Sequence, residues 1–341
     1  MIDGVQIPAQ FAVVLVLGGC VGSVRVVEPV DVRSGLVICR GDDGVVVGWG
    51  QIMDAVAGAD VIVLGEEHDD AVGHGFQLAV VEDVLQRWPD SAVSMEMFDR
   101  SEQAVVDDYL ADFIDTETFQ ERTASTRWLK LSRQYAAGEL KRKTFEQRIA
   151  RLGWPQWETN YQPIVDAAKA AGVPVVAANT PWLVYMSVAR REGFDRLDDV
   201  TNAQRMLFEV PQRIPDGAYR ERFWDVLAGR AEGETADDDD GQEPGAHPGF
   251  DDETILGMFR GQLVMDATMA ASIADARRAG AGKVVHLVGH FHCDFDGGLV
   301  QELRYRDPDA RILVITALAE AETQLRDEDS GRADFVVYTG D

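Results

Sequence analysis

The 341-residue chain has only three cysteines, Cys20, Cys39 and Cys293, too few for a disulfide framework and not spaced as a CxxC metal pair. Basic residues are scarce as well: 32 Lys and Arg face 59 Asp and Glu, a formal charge of −27. That charge repels nucleic acid and anionic headgroups, so DNA and RNA are excluded as expected partners. Long hydrophobic runs are missing too. The longest, Phe11 to Leu17 ahead of Gly18-Gly19-Cys20, falls well short of the ~20 residues of a membrane-spanning helix.

What that run does match is the core of an export signal, and Leu17-Gly18-Gly19-Cys20 is similar to a bacterial lipobox, in which the cysteine is acylated. The head of the chain departs from the pattern, carrying Asp3 and no Lys or Arg before residue 11. Residues 1–20 are read as signal peptide with Cys20 as the lipidation site, and 21–44 as a tether followed by a short hairpin-like entry. The membrane is then a partner through the lipid anchor only, and the expected location is the cell envelope, facing the periplasm or exterior.

With 46% hydrophobic residues the chain can bury a large core. From residue 45 to 339, short apolar runs closed by Gly or Asn alternate with helical spacing: strands around 60–65, 91–98, 173–179, 283–289, 311–317 and 333–339, and helices over 75–88, 160–172, 262–280 and 297–304. Continuous apolar strands alternating with amphipathic helices predict a single α/β domain, with a mainly parallel central sheet covered by helices on both faces. Residues 101–158 break the alternation and read as a helical cap insertion, with Trp128, Trp154 and Trp157 packing in it or lining it. Residues 229–253 hold ten acidic residues and one basic one and read as a disordered acidic loop.

Chemistry is expected where strands end, because loops converge outside the carboxyl edge of an open α/β sheet. Gly65-Glu66-Glu67-His68 ends one strand, Met95-Glu96-Met97 sits in the next, and Gly289-His290-Phe291-His292-Cys293-Asp294 ends a third. A two-residue spacing on extended backbone presents Glu66 with His68, and His290 with His292, to one side. A carboxylate at Glu96, inside an apolar strand, needs a partner, a proton or a metal. Imidazoles and carboxylates in one pocket suit a divalent transition metal: His68, Glu96, His290 and His292 are the ligand candidates, with Glu66, Glu67 and Glu96 as the catalytic carboxylates of a metal-dependent hydrolase. Taken singly, each has a structural reading as a solvated turn or a hydrogen-bonded core residue. His74 reads equally as a helix-start residue or as a donor behind the site; His247 and His286 read as non-functional.

The arrangement Gly-x-x-His, Glu, Gly-x-x-His resembles the superfamily of ChaN-like haem-binding uptake proteins, Tiki and TraB proteins and erythromycin esterases. The ChaN-like branch is the nearest in pattern. Leu64 to Asp69 with Gln77, Ser94 to Phe98 with Gln103 and Tyr109, Tyr161 with Pro163, Ala177-Ala178-Asn179, Gln262 with Asp266, Gly289 to His292, and Ala333 to Val336 follow in order. Departures are His290 where relatives carry Asn or Gly, Asp70, Gly75 and the acidic loop. The resemblance implies a haem- or iron-binding protein of the cell envelope, with tyrosine as an iron ligand and Tyr109, Tyr135 and Tyr161 as the candidates. Through the Tiki-like members it also implies metal-dependent hydrolysis of a peptide or ester. A non-catalytic binding module is the third reading, and a homodimer is left open.

Overall fold

A computed structural model of the chain describes residues 31–340, apart from 124–126, 143, 145–153, 155, 182–183, 216 and 229–249. The expected lipidation site Cys20, the side chain of Trp128 and most of the acidic loop lie outside the described residues. The other two cysteines, Cys39 and Cys293, are buried free thiols.

Among the described residues, eight strands form one sheet in the order β2-β1-β8-β7-β3-β6-β4-β5. They are β1 (Val37–Arg40), β2 (Val46–Val47), β3 (Val61–Glu66), β4 (Ala92–Asp99), β5 (Val175–Asn179), β6 (Val284–Gly289), β7 (Ile312–Leu318) and β8 (Phe335–Tyr338). The five strands β3 to β7 pair in parallel, and β8 joins β7 in parallel. Only the hairpin β1–β2 and its pairing to β8 are antiparallel. The sheet thus begins at Val37, inside the segment expected as a tether, because Ile38 and Cys39 bury against the sheet edge.

Alternation along β3 sorts its side chains into two layers. Ile62 and Leu64 join a core with Phe76, Val80 and Val84 of the helix Ala71–Arg87 and with Ile164 and Val165 of the helix Gln162–Ala171. Val61 and Val63 face the other way, onto Met269, Ala270 and Ile273 of the long helix Asp252–Arg278 and Leu299 and Leu303 of the helix Gly298–Arg306. Both faces being covered, the strands carry apolar side chains at consecutive positions. The expected fold class is the one observed.

The insertion 101–158 contains the helices Gln103–Leu110, Thr116–Arg122, Arg127–Ala136 and Trp157–Asn160. Its Val106, Tyr109, Phe119 and Trp157 belong to the first of the two cores, and Trp154 packs against it. Gln103 holds the edge strand β5 by a two-way amide contact, donating to Val175 O at 2.9 Å and accepting from Ala177 N at 2.8 Å. This satisfies backbone groups that an open sheet edge leaves bare.

Two stretches differ from the sequence reading. The helix expected from 262 starts at Asp252, because Asp251 accepts from Thr254 N at 2.8 Å and Asp252 and Glu253 occupy the first turn. The tail of the acidic loop is therefore a helix start, where carboxylates cap free N–H groups and meet the positive end of the helix dipole. The helices Tyr185–Glu192 and Ala218–Leu227 were not anticipated; their buried residues Tyr185, Ala189, Tyr219 and Phe223 form small satellite cores against the long helix.

Candidate functional site

β3 stays extended through Glu66, which pairs with Gly289 of β6 at the carboxyl edge of the sheet. The expected partnership of Glu66 and His68 is present: His68 Nδ1 lies 2.9 Å from Glu66 Oε1. Glu66 is buried, and further donors hold it. Tyr161 gives its hydroxyl proton to Oε1 at 2.7 Å, and Gln77 Nε2 donates to Oε2 at 2.8 Å. His74 stands behind the site, as one of its two readings had it, with Nδ1 at 3.0 Å from Gln77 Oε1 and Nε2 at 3.2 Å from His68 O. The ring of Trp154 meets His68 edge-on at 4.9 Å.

Glu96 points to the opposite layer of the sheet and lies under His292. One of its oxygens accepts from Gly289 N at 2.7 Å and the other is 3.4 Å from His292 Nε2. The second nitrogen of His292 lies 2.5 Å from Asp266 Oδ1, and Tyr219 donates to Asp266 Oδ2 at 2.8 Å. Gln262, one helical turn before Asp266, reaches the same imidazole at 3.1 Å. Burial opposes charge on His292, yet the two flanking carboxylates push its pKa up to about 10. Burial likewise works against the Glu96 carboxylate, and His292, joined by His68, pulls it down to about 2. His68 is also raised: burial lowers it, but the hydrogen bond and charge of Glu66, with Glu96 adding, outweigh that. His68, Glu96 and His292 therefore form one electrostatic unit, and Gly289 lets them approach; a Cβ there would stand 3.1 Å from His68 Cε1.

Glu67, His290 and Asp294 do not join that unit. Residues 290–292 turn as a 3₁₀ helix rather than continuing extended, so His290 and His292 diverge instead of facing one side. His290 Nδ1 sits 2.8 Å from Asp294 Oδ2, and Asp294 is fixed by the hydroxyl of Thr316 at 2.6 Å and by Arg332 at 2.5 Å. Glu67 turns outward and accepts from Ala319 N at 3.1 Å. His286 is buried in mid-strand; Ser94 Oγ lies 2.9 Å from its Nδ1, and burial pushes its pKa down to about 3. Among the described residues no group of three or more His, Cys, Asp or Glu side chains is assembled to hold a metal ion.

Sequence reasoning gave no role to Gln77, Tyr219, Gln262 or Asp266. Gln262 and Asp266 carried a signal, since an i, i+4 polar pair in an Ala- and Met-rich helix places both on one side. Gln77, three residues after His74, had the same kind of spacing. Tyr219 had none.

The tyrosines divide sharply. Five of the seven are buried; Tyr135 and Tyr305 are 38% and 52% exposed. Of the three candidates, Tyr109 gives its hydroxyl proton to Asp166 at 2.6 Å and Tyr161 to Glu66, while Tyr135 lies on the surface of the insertion. Tyr305 lines a cavity of about 360 Å³ with Pro211, Arg213, Ile214, Leu263 and Arg304. Asp266 also borders this cavity, which therefore lies behind His292.

The family model described as haem-binding uptake, Tiki superfamily, ChaN matches residues 52–136 and 129–303. Among solved structures, one described as cofacial heme binding to ChaN of Campylobacter jejuni is similar with a TM-score of 0.54 at 15% identity, covering 89% of this chain and 96% of that one. The type III effector HopBA1 is similar with a TM-score of 0.41 at 13% identity, covering 90% and 97%. No curated protein matches the sequence. With a family match running through most of the sheet and both Gly-x-x-His strand ends, the chain belongs to the haem-binding uptake family of the Tiki superfamily, ChaN.

Proposed function

We propose that this protein binds haem in the cavity beside the helix Gly298–Arg306, with the Tyr305 hydroxyl as the iron ligand. Family membership supports haem as the ligand class, and the similar Campylobacter jejuni structure is described as binding heme. The observation that carries the choice of place is that Tyr305 is both exposed and on the wall of a cavity, whereas Tyr109 and Tyr161 give their hydroxyl protons to buried carboxylates.

The lining fits the group. Pro211, Ile214 and Leu263 offer apolar surface to a porphyrin. Arg213, whose guanidinium lies 5.6 Å over the Tyr305 ring, and Arg304, paired with Asp296, offer cations to its propionates. Haem bound here would supply an iron centre, and the Tyr305 hydroxyl is the side chain that would hold it. In the same reading Cys20 tethers the protein to the envelope membrane, where haem is exchanged; loss of labelled fatty-acid incorporation in Cys20→Ser tests that part separately.

Hemin titration followed at the Soret band tests the site. Tyr305→Phe should weaken binding at least tenfold and shift the band, and Tyr135→Phe should leave both unchanged. Unaltered binding in Tyr305→Phe would overturn the assignment.

A divalent-metal hydrolase is the second reading, favoured by the meeting of His68, Glu96 and His292. It requires His292 to give up the proton that Glu96 and Asp266 hold on it, so metal uptake releases a proton and strengthens with pH. Glu66, with both oxygens occupied by His68, Tyr161 and Gln77, is a poor general base there. Stoichiometric metal in protein purified without chelators, lost in His68→Ala and His292→Ala, would support this reading; its absence would remove it.

A further inference from the structure

The chain carries almost two acidic residues for each basic one, yet one stretch reverses the sign. Residues 127–142 hold five basic residues, Arg127, Lys130, Arg133, Lys141 and Arg142, against the single acid Glu139. They include the helix Arg127–Ala136 of the insertion, and the chain turns away from it at Gly138, where φ is 75°.

Helical spacing sorts this stretch by face. Trp128, Leu131 and Tyr135, at i, i+3 and i+7, fall on one side; Lys130 and Arg133 fall away from it, with Arg127 at the boundary. The core does not take up the apolar side. Among the described side chains from 131 to 142 none is buried: Leu131 and Leu140 are half-buried, and Tyr135 is exposed. The basic side is not neutralised either, since the exposed Arg133 and Lys141 meet no carboxylate among the described residues, in a chain rich in carboxylates. A helix of 10 residues draws little stability from its own hydrogen bonds, so an amphipathic one gains from a surface that covers it.

An anionic lipid surface meets both faces at once. The apolar side settles at the boundary between headgroups and acyl chains, where aromatic side chains are favoured, while Lys and Arg reach the phosphates. The overall charge of −27 does not prevent this, because salt screens charges beyond about 8 Å and the local sign decides at contact. The chain's own acidic stretch is the competing cover. Its flanks Leu227 and Phe250 are joined by a 3.1 Å backbone hydrogen bond beside the helix Asp252–Arg278, whereas the insertion packs into the core on the other face of the sheet.

We propose that the helix Arg127–Ala136 and the basic residues after it dock the insertion on an anionic phospholipid surface, lying along that surface. No helix among the described residues is long and apolar enough to cross a membrane. The proposal goes beyond the haem reading, uses none of the cavity residues and does not require the lipid anchor.

Sedimentation of the full chain carrying Cys20→Ser with lipid vesicles tests it, because no acyl anchor then contributes. Vesicles of equal parts phosphatidylglycerol and phosphatidylcholine should bind at least tenfold more tightly than phosphatidylcholine alone, and salt should weaken that binding. Arg133→Gln combined with Lys141→Gln should lose at least tenfold on the anionic vesicles. Arg190→Gln combined with Arg191→Gln makes the same change of charge on the helix Tyr185–Glu192 and should lose less than twofold. Tyr135→Ser should weaken binding severalfold and leave its salt dependence unchanged. All five side chains are exposed, so urea midpoints should stay in place and the loss of binding reads the surface alone. Equal binding to both vesicles, equal losses in the two charge variants, or an oligonucleotide bound as tightly as the anionic vesicles would overturn the proposal.

Discussion

Tyr161 and Glu66 are 95 residues apart in sequence and 2.7 Å apart in the fold, joined by a hydrogen bond that is wholly buried. The bond ties the helical layer next to the insertion to the end of β3, and it fixes the carboxylate that in turn holds His68. Burial, with the charge and hydrogen bond of Glu66, keeps the phenol well above its ordinary pKa, so it acts only as a donor.

Tyr161→Phe keeps the ring stacked on Trp157 at 5.3 Å and removes the hydroxyl alone. A buried charge-assisted hydrogen bond contributes about 1.5–3 kcal/mol. Urea unfolding should show a loss of that size, and the NMR signals of His68 should shift because one of the donors on Glu66 is gone.

Alkaline pH should destabilise the fold through His292. Its folded pKa of about 10 lies above the ordinary value of 6.5, so the stability it contributes is full below 6.5 and is lost as pH rises through about 10. Denaturant midpoints measured between pH 6 and pH 10.5 in wild type and His292→Gln should converge as pH rises. Parallel curves would show that the ring is not held charged.

His286 acts in the opposite direction. Its pKa of about 3 lies below 6.5, so its contribution is complete above 6.5 and is lost as pH falls towards about 3. His286→Leu should flatten the acid limb of the stability curve over that window, whatever its effect at neutral pH.

Gly65→Ala should destabilise by about 1–3 kcal/mol, the usual cost of overpacking a core. A Cβ at residue 65 would stand 2.9 Å from both Cys293 Sγ and Thr316 Oγ1, in the packing under the Asp294 network. Thermal or urea unfolding measures the loss, and a neutral result would show that the strand ends can separate freely.

The parallel sheet was legible because residues such as Val61-Ile62-Val63-Leu64 are apolar at consecutive positions, which only a strand covered on both faces requires. The edge hairpin was legible only as a hairpin-like entry after the tether; its strands, of four and two residues, are too short for periodicity to give their bounds or their pairing to the sheet. The start of the long helix was hidden by the acidic composition of 251–253, which reads as loop until Asp251 is seen capping Thr254.

For the site, the sequence by itself determined which residue types stand at the strand ends, and therefore that His68, Glu96 and His292 could meet. Local chain geometry decided that His290 could not join them, because the 3₁₀ turn after β6 rotates it away by more than the extended spacing allows. Only the tertiary structure decided which carboxylate each imidazole received, since Asp266 and Tyr219 arrive from helices far along the chain. Residue identity follows from the code of a single segment, but protonation depends on burial and on charges within a few ångströms, and those exist only once the layers have packed.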